Sequence, residues 1–281
     1  MISRVRATWR LITYMIFTPV CMLVQALALG LNLPFQRSFP LWYHRQICRC
    51  MGLRVEVRGQ QSSAHPTLFV SNHVSYVDIE VLGSLIKGSF FAKAEVRDWP
   101  MFGWLARLQR SVFVERRVGR AAESRDEMGE RLAAGDSLIL FPEGTTGDGN
   151  RILPFKSALF SVAEQRVNDQ PLPVQAVSIA YAKLDGMPMG RYLRPYVAWY
   201  GGMELGGHFV RVFGLGTITV VVEFHPPVTI DQFQNRKALS AYAHAQVARG
   251  VAAALSGRPQ PALPAPLPRH PAPAEPAAKP A

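Results

Sequence analysis

The chain has 281 residues, of which 48% are hydrophobic and 18% charged, and its 31 Lys and Arg against 20 Asp and Glu give a formal net charge of +11. This length and composition allow one large domain with a buried core, and they exclude a collagen, a coiled coil, a disulfide scaffold and a wholly disordered chain. A chain this basic is attracted to anionic partners, which leaves nucleic acid, lipid headgroups and phosphorylated substrates open.

The arginines of the first 60 residues favour a membrane surface over nucleic acid. Eight of them flank an uncharged apolar run from Leu11 to Leu33, and Glu56 is the single acid in this segment. Nucleic-acid binders carry basic residues on a polar face with interleaved aromatics, whereas arginines that bracket an apolar run are typical of a bilayer interface. We therefore expect membrane lipids as partners and no nucleic acid.

The apolar run is long enough to cross a hydrocarbon core of about 30 Å as a helix. Arginines on both sides give no clear crossing direction, so a helical hairpin that dips into one leaflet is favoured over a single span or a cleaved signal peptide. We predict that residues 1–52 are membrane-anchoring helices. The expected location is the inner (cytoplasmic) membrane, with the rest of the chain facing the cytoplasm.

Three cysteines, Cys21, Cys48 and Cys50, make no disulfide framework, because the number is odd and two are one residue apart. This pattern fits a reducing compartment. His44 with Cys48 and Cys50 supplies three candidate metal ligands without a fourth, so buried or interfacial thiols are favoured and no metal site is predicted.

Residues 53–256 alternate between strand-like and helix-like stretches. The strand-like stretches are Leu53–Arg58, Thr67–Ser71, Ser89–Ala92, Ser111–Glu115, Ser137–Phe141, Val174–Tyr181 and Thr217–Phe224. The helix-like stretches are Asp78–Lys87, Met101–Leu108, Arg120–Ala133, Lys156–Val167 and Lys237–Leu255. The alternation predicts an α/β domain with a mixed, largely parallel sheet flanked by helices. Nine prolines among the last 25 residues predict a disordered tail at 257–281.

A histidine follows the strand predicted at Thr67–Ser71, where ligands bind in open α/β sheets. His73 and Asp78 are five residues apart, which on one ideal helix separates them by about 140°. They can pair if His73 lies in the strand-to-helix loop and Asp78 in the first helical turn. Asp78 would then orient the ring while the other nitrogen accepts a proton from a hydroxyl. A loop histidine beside an ordinary helix-start aspartate is the open alternative.

Common nucleophile and nucleotide motifs are missing from the sequence. It contains no Gly-x-Ser-x-Gly elbow, no phosphate-binding Gly-x-x-x-x-Gly-Lys-Ser/Thr loop and no dinucleotide-binding glycine pattern after a strand. A base without a protein nucleophile indicates that the substrate brings its own hydroxyl.

Two further strand ends carry candidate binding residues. Arg116 and Arg117 follow one strand, and their planar donor groups suit phosphate or carboxylate, although a pair at a strand end is often only solvated. The apolar strand at Ser137–Phe141 runs into Pro142-Glu143-Gly144-Thr145-Thr146, where Gly144 permits a tight turn beside an anion. Glu143 at a buried strand end needs a partner, and we predict one of the two arginines.

Taken together, these blocks resemble the glycerolipid acyltransferase family, whose best-known members are the 1-acylglycerol-3-phosphate acyltransferases. The resemblance covers about residues 53–225. Its motifs are Asn72-His73-x-x-x-x-Asp78, Phe113-Val-x-Arg116, Phe141-Pro-Glu-Gly-Thr145, Phe91–Val96 with Pro100–Trp104, and Leu153-Pro154-Phe155-Lys156. It implies a glycerol-phosphate acyltransferase-like fold with an N-terminal helical hairpin embedded in the membrane.

The resemblance also implies the chemistry. His73 would be the general base and Asp78 its orienting partner, and the acceptor hydroxyl would attack the thioester of acyl-CoA or acyl-carrier protein directly. No cofactor or metal is needed. The substrate-binding residues implied are Lys93, Arg116, Arg117, Glu143, Gly144, Thr145 and Thr146.

Two departures from the family bear on the acceptor. Thr146 stands where the family usually has an arginine that binds phosphate, and the segment from Pro173 to Val177 lacks the usual second proline. With Leu184–Pro188 and Trp199–Gly201, these changes resemble the branch that acylates lyso-ornithine lipid, whose headgroup is an amino acid. The leading expectation is acylation of a lysolipid, 1-acylglycerol-3-phosphate, to phosphatidic acid. Lyso-ornithine lipid is the alternative acceptor, and a non-catalytic lipid-surface binding protein is a weaker alternative.

Overall fold

A central sheet of eight strands organises the computed structural model, which describes residues 2–114, 128–258, 260, 261, 263 and 266. Its strands are β1 (Leu53–Gly59), β2 (Leu68–Ser71), β3 (Gly88–Lys93), β4 (Val112–Val114), β5 (Ser137–Leu140), β8 (Val174–Leu184), β9 (Met187–Pro188) and β10 (Ile218–Phe224). Two short strands, β6 (Arg166–Val167) and β7 (Gln170–Pro171), pair separately. Most of the tail predicted at 257–281 lies outside the described residues.

The strand order is β1-β10-β8-β2-β5-β3-β4, with β9 paired to β8. All neighbours along this path are parallel except β10 and β8, which are antiparallel. This arrangement confirms the predicted α/β class with a mixed, largely parallel sheet. Because β2, β3 and β5 are mutually parallel, their carboxyl ends meet at one edge of the sheet, where the segments after them converge.

Helices cover both faces of the sheet. They are α1 (Arg4–Gly30), α2 (Phe39–Met51), α3 (Val77–Gly83), α4 (Phe102–Leu108), α5 (residues 128–133), α6 (Leu205–Gly214) and α7 (Arg236–Ser256). Short 3-10 helices occur at Pro34–Arg37, Ala94–Asp98, Ser157–Glu164, Arg194–Tyr196 and Ile230–Gln232. The helix predicted at Lys156–Val167 is therefore a 3-10 segment that ends before β6, and the helix predicted to reach Lys87 ends at Gly83.

The core has one layer on each side of the sheet. Along β2, Phe69 packs in the layer beneath α2, α3 and α6, while Leu68 and Val70 pack in the layer beneath α5 and α7. Strand β5 is buried in the same two-sided way. Strands buried on both faces are apolar without alternation, which explains the uninterrupted apolar runs in the sequence.

The long helix α1 lies with one face packed on the domain and the opposite face uncovered. Its inner face buries Tyr14, Cys21 and Gln25, and its outer face exposes an apolar stripe that includes Trp9 and Ile16. The stripe repeats at a spacing of three to four residues, as expected for one side of a helix. In the described part of the chain, α1 is the one helix that is long and apolar enough to cross a membrane.

The amino end of α1 is fixed to the domain by arginines. Arg6 donates to the carbonyl oxygen of Leu215 (3.1 Å), and Arg10 donates to the carbonyl oxygens of Leu215 (2.8 Å) and Phe213 (3.2 Å). These carbonyls lie at the carboxyl end of α6, where cations are favoured. The same helix thus has polar ties to the domain and an apolar outer surface.

Candidate active site

The loop between β2 and α3 begins with a side chain that is fixed to a neighbouring strand. Asn72 is 1% exposed, its Nδ2 donates to the carbonyl oxygen of Ile179 (3.0 Å), and its Oδ1 accepts from the amide of Ile179 (2.9 Å). These two hydrogen bonds to β8 satisfy the buried side chain of Asn72 and fix the position at which the chain leaves β2. His73, the next residue, is thereby held at the sheet edge.

Asp78 lies in the first turn of α3 and is fully buried. Its Oδ2 accepts from the amides of Val74 (2.6 Å) and Ser75 (2.9 Å) and pairs with Nδ1 of His73 (2.8 Å), and its Oδ1 accepts from the hydroxyl of Tyr181 (2.6 Å). Each of these partners offers an N–H or O–H group, so both oxygens of the Asp78 carboxylate act as acceptors. The structure thus brings the two predicted catalytic residues together in the loop-and-helix arrangement that their spacing required.

The pairing sets the protonation pattern of the His73 ring. An ionised carboxylate can only accept, so Nδ1 of His73 carries a proton and Nε2 has a free lone pair in the neutral ring. Within the described chain Nε2 has no hydrogen-bond partner. The ring stacks on Phe141 with its centroid at 4.0 Å and an angle of 12° between the planes. The geometry can therefore perform general-base chemistry on a hydroxyl near Nε2.

Glu143 lies behind His73 and is held by the backbone. Its Oε1 accepts from the amide of His73 (3.0 Å), and its Oε2 accepts from the amide of Leu153 (3.1 Å). Burial, with a smaller contribution from Asp78, raises the pKa of Glu143 to about 7, although the two amides oppose that rise. The partners expected from the sequence, Arg116 and Arg117, lie outside the described residues.

The turn after Glu143 lies beside His73 and contributes to the same cavity. Gly144 has φ 67°, a left-handed conformation that favours glycine, and its amide donates to the carbonyl oxygen of Phe141 (3.1 Å). Gly144, Thr145 and Thr146 line the same cavity as His73. Lys93, at the carboxyl end of β3, lines it as well. Of the substrate-binding residues implied by the resemblance, Glu143 does not line this cavity.

The cavity has a volume of about 440 Å³ and lies between the sheet edge and the helices α1, α2 and α4. Aromatic and aliphatic side chains such as Tyr14, Phe39 and Phe209 form most of its wall. Polar side chains lie among them at two places, around His73 and around His44. A largely apolar cavity with few polar groups suits a fatty chain.

The thiols belong to local packing. Cys48 Sγ donates to the carbonyl oxygen of Glu80 (3.3 Å), and Cys50 Sγ donates to that of Arg10 (3.5 Å). His44 pairs with Glu80 instead, through Nδ1 at 2.7 Å. No group of three or more His, Cys, Asp or Glu in the described part of the chain could hold a metal ion.

Sequence reasoning missed two contributors to the site. Tyr181, a donor to Asp78, lies 103 residues from it in the chain, and the one signal was a tyrosine within an apolar strand. The contribution of α1 and α2 to the cavity wall had no signal beyond their apolar composition.

Comparison with known proteins identifies relatives of this chain. A sequence model of the family described as "Acyltransferase" matches residues 54–180. The chain is 44% identical over 238 residues to a lyso-ornithine lipid O-acyltransferase of Brucella abortus, covering 83% of this chain and 89% of that protein. It is 30% identical over 198 residues to a 1-acyl-sn-glycerol-3-phosphate acyltransferase of Neisseria meningitidis, covering 69% of this chain and 73% of that protein.

The fold is also found in a crystal structure of the 1-acyl-sn-glycerophosphate (LPA) acyltransferase from Thermotoga maritima. The TM-score is 0.58 at 24% identity, and the match covers 86% of this chain and 96% of that one. The likeness extends beyond the motif blocks to most of the chain. The chain therefore belongs to the acyltransferase family and is an acyltransferase that acts on lysolipids.

Proposed function

We propose that this enzyme transfers a fatty acyl chain from acyl-CoA or acyl-carrier protein to the chain hydroxyl of lyso-ornithine lipid, which gives ornithine lipid. The observation that carries this choice is the 44% identity to a lyso-ornithine lipid O-acyltransferase over 89% of that protein. The glycerol-phosphate relative is 30% identical over 73% of its length. The sequence alone places 1-acylglycerol-3-phosphate first and lyso-ornithine lipid second, and the proposal reverses this order.

The polar wall near His73 supports an acceptor without phosphate. Thr146 lines the cavity, and at this sequence position the 1-acylglycerol-3-phosphate acyltransferases that the chain resembles usually carry a phosphate-binding arginine. Lys93 and Glu95 place one positive and one negative side chain on the same cavity. An ornithine headgroup joined through its α-amino group carries one carboxylate and one ammonium, so both charges have a complementary side chain.

In the proposed reaction, Nε2 of His73 accepts the proton of the acceptor hydroxyl as the oxygen attacks the thioester carbonyl. Asp78 holds the ring and stabilises the imidazolium that forms. The tetrahedral intermediate then collapses, the carbon–sulfur bond breaks, and the departing thiolate takes the proton from Nε2. The products are the new ester and the free thiol of the carrier, and no acyl-enzyme forms.

The second acceptor, 1-acylglycerol-3-phosphate, is favoured by one observation, the identity to the Neisseria meningitidis enzyme. Arg116 and Arg117, the expected phosphate contacts, lie outside the described residues. A non-catalytic lipid-surface role does not account for the four donors arranged around Asp78.

Attachment to the cytoplasmic leaflet of the inner membrane is part of the same proposal. The outer face of α1 exposes Trp9, Ile16 and Leu23 at 71%, 66% and 67%. A helix with one face on the protein and an apolar face outward suits the plane of a membrane interface. Because α1 and α2 also line the cavity, a lipid acceptor can reach His73 from the leaflet, while the acyl donor arrives from the cytoplasm.

The acceptor is tested with purified enzyme, one acyl donor and each lysolipid in turn, comparing kcat/KM. The proposal predicts the higher value for lyso-ornithine lipid, and a higher value for 1-acylglycerol-3-phosphate would reverse it. Thr146→Arg should raise kcat/KM for the phosphate acceptor by about 10- to 100-fold, because it adds a charge-assisted hydrogen bond. Thr217→Arg, which adds the same charge at an exposed position outside the cavity, should leave the preference unchanged.

A further inference from the structure

In the buried side-chain amide of Gln25, the nitrogen donates hydrogen bonds, whereas the oxygen accepts none from the described residues. Gln25 is 3% exposed, and its Nε2 donates to the carbonyl oxygens of Gln36 (2.9 Å) and Leu108 (3.1 Å). Turning the amide over would bring its oxygen against two carbonyl oxygens, so its orientation is fixed. The other end, Oε1, has no hydrogen-bond partner among the described residues.

The empty acceptor belongs to a residue that lines the same cavity as His73. The lining of this cavity combines apolar side chains, such as Cys21, Met22 and Phe39, with a polar cluster around His44. Buried acceptors in folded proteins are almost always paired, either within the protein or with water or a ligand. An unpaired oxygen of fixed orientation on a residue of this wall therefore points to a hydrogen-bond donor that enters with the cavity's occupant.

The polar cluster beside Gln25 is paired with other partners and makes no hydrogen bond to Oε1 of Gln25. His44 pairs with Glu80 through Nδ1 (2.7 Å) and with Oε1 of Gln109 through Nε2 (3.0 Å), and Nε2 of Gln109 donates to the carbonyl oxygen of Gly88 (3.1 Å). Gln109 directly follows Leu108, so this cluster and the Gln25 amide meet at one short segment. Each of these donors already has an acceptor.

The same cluster indicates the chemistry of the missing donor. Both ring nitrogens of His44 face acceptors, so the ring carries two protons and its positive charge balances Glu80. The position next to it therefore has no unbalanced negative charge to attract an ammonium group. One neutral acceptor beside a charge-balanced pair, in a largely apolar cavity, suits one neutral donor on an apolar chain.

We propose that Oε1 of Gln25 binds a hydroxyl carried on a fatty chain in the cavity. This inference rests on the proposed function, which places fatty chains there. The methylene groups pack against the apolar wall, and the hydroxyl donates to Oε1, so the site favours a chain that is hydroxylated at one position along its length. The hydroxyl belongs to the transferred acyl chain or to a second position on the acceptor's own chain.

A position scan tests this assignment. Wild-type enzyme is given C16 acyl donors, plain or with one hydroxyl at successive carbons, each on CoA and on acyl-carrier protein, and then lyso-ornithine acceptors with a second hydroxyl at successive carbons. One position in one series should give a kcat/KM about tenfold above that of its neighbours, the factor that one net hydrogen bond supplies. Gln25→Met should abolish this maximum. Gln246→Met, which removes a buried amide of α7 outside the cavity, should retain it.

The wild-type scan stands even if Gln25→Met fails to fold. Equal kcat/KM values at all hydroxyl positions in both series, or a maximum that persists in Gln25→Met, would overturn the proposal. Water would then be the hydrogen-bond donor to Oε1 of Gln25. If neither acceptor is acylated with any donor, the proposed function fails instead. The site is then decided by calorimetric binding of free hydroxylated and plain C16 acids, and equal Kd values at all positions would refute it.

Discussion

Two histidine–carboxylate pairs lie on the same cavity, and the second ring nitrogen separates their roles. Nδ1 of His73 is 2.8 Å from Asp78, and Nδ1 of His44 is 2.7 Å from Glu80, with both carboxylates on α3. In the described chain Nε2 of His73 has no partner, whereas Nε2 of His44 meets Oε1 of Gln109 (3.0 Å). A carboxylate orients either ring, but only the ring whose far nitrogen is free can serve as a base.

The surroundings of His44 favour the charged form of its ring. Burial by itself lowers its pKa, but the charge and hydrogen bond of Glu80 outweigh that effect, and the pKa is raised from its usual value. Gly83 lets α3 approach closely, because a Cβ there would overlap the His44 ring. The pair thus joins α2 to α3, the helix that carries Asp78, and stabilises the frame of the active site.

The largest effect is expected from removing the free nitrogen. His73→Ala should lower kcat by about 10³-fold or more, because the acceptor hydroxyl loses its general base. The protein should retain its circular dichroism spectrum and its binding to vesicles. His244→Ala, a histidine of α7 outside the cavity, is the control and should keep normal acyl transfer. If His73→Ala retains acyl transfer, His73 is not the general base and its pair with Asp78 would have only a structural role, like the pair of His44 with Glu80.

The next largest effect concerns the apolar face that brings the cavity to the membrane. Replacing Trp9, Ile16 and Leu23 together by Ser should weaken vesicle binding by about 10³-fold or more, because each exposed side chain contributes roughly 1.5–3 kcal/mol when buried in lipid. Sedimentation with anionic vesicles measures the change. The matched variant replaces three exposed apolar residues elsewhere, Val57, Met187 and Tyr192, and should still sediment. Equal sedimentation of both variants would contradict attachment through α1.

Breaking the second pair should affect folding more than chemistry. His44→Ala leaves Glu80 without its cation, and removing one partner of a buried pair costs about 3 kcal/mol or more. Thermal unfolding in detergent should show a lower Tm. Unchanged Tm together with lost activity would instead make His44 a second catalytic histidine.

The same pair predicts how stability changes with pH. Because the folded pKa of His44 lies above its unfolded value of 6.5, the pair stabilises fully below pH 6.5 and loses this contribution as the pH rises through the raised folded value. The free energy of unfolding of the wild type should therefore fall over that range more than that of His44→Ala. Parallel curves for the two proteins would show that His44 is not charged when folded.

The smallest effect on kcat is expected from Tyr181, which contacts His73 only through Asp78. Tyr181→Phe removes one donor to Asp78, worth about 1 kcal/mol, so kcat should fall roughly 3- to 10-fold with KM little changed. The pH profile of kcat should shift as well, since the carboxylate that orients His73 is altered. Tyr242→Phe, which removes a hydroxyl paired with Gln246 on α7, provides the control. If both variants behave alike, Tyr181 has a packing role only.

The parts of this molecule that could be predicted from sequence are those fixed by local periodicity. The apolar run of β2 followed by a short helix placed His73 and Asp78 correctly, because a strand, a loop and one helical turn determine their separation. Residues joined across the sheet could not be found in this way: Asn72 meets Ile179 from 107 positions away. Helix α6 was missed because Gly206 and Gly207 weaken its pattern.

Glu143 shows a different kind of failure. The sequence indicated correctly that a buried carboxylate needs partners, and arginine is the usual choice. In the structure the loop after β5 returns so that the amides of His73 and Leu153 reach both oxygens. These hydrogen bonds depend on the backbone positions of two loops that are distant in sequence, the loop after β2 and the loop after β5. A local residue pattern does not predict such positions.

The central claim is that His73 activates the acceptor hydroxyl and that no residue of the enzyme holds the acyl group covalently. The most direct test incubates the enzyme with isotopically labelled acyl donor alone and measures the intact protein mass by rapid-quench mass spectrometry, before and after lyso-ornithine lipid is added. The account predicts no mass increase at any time and labelled ornithine lipid only after the acceptor arrives. An acyl adduct that forms without acceptor and disappears when it is added would contradict it.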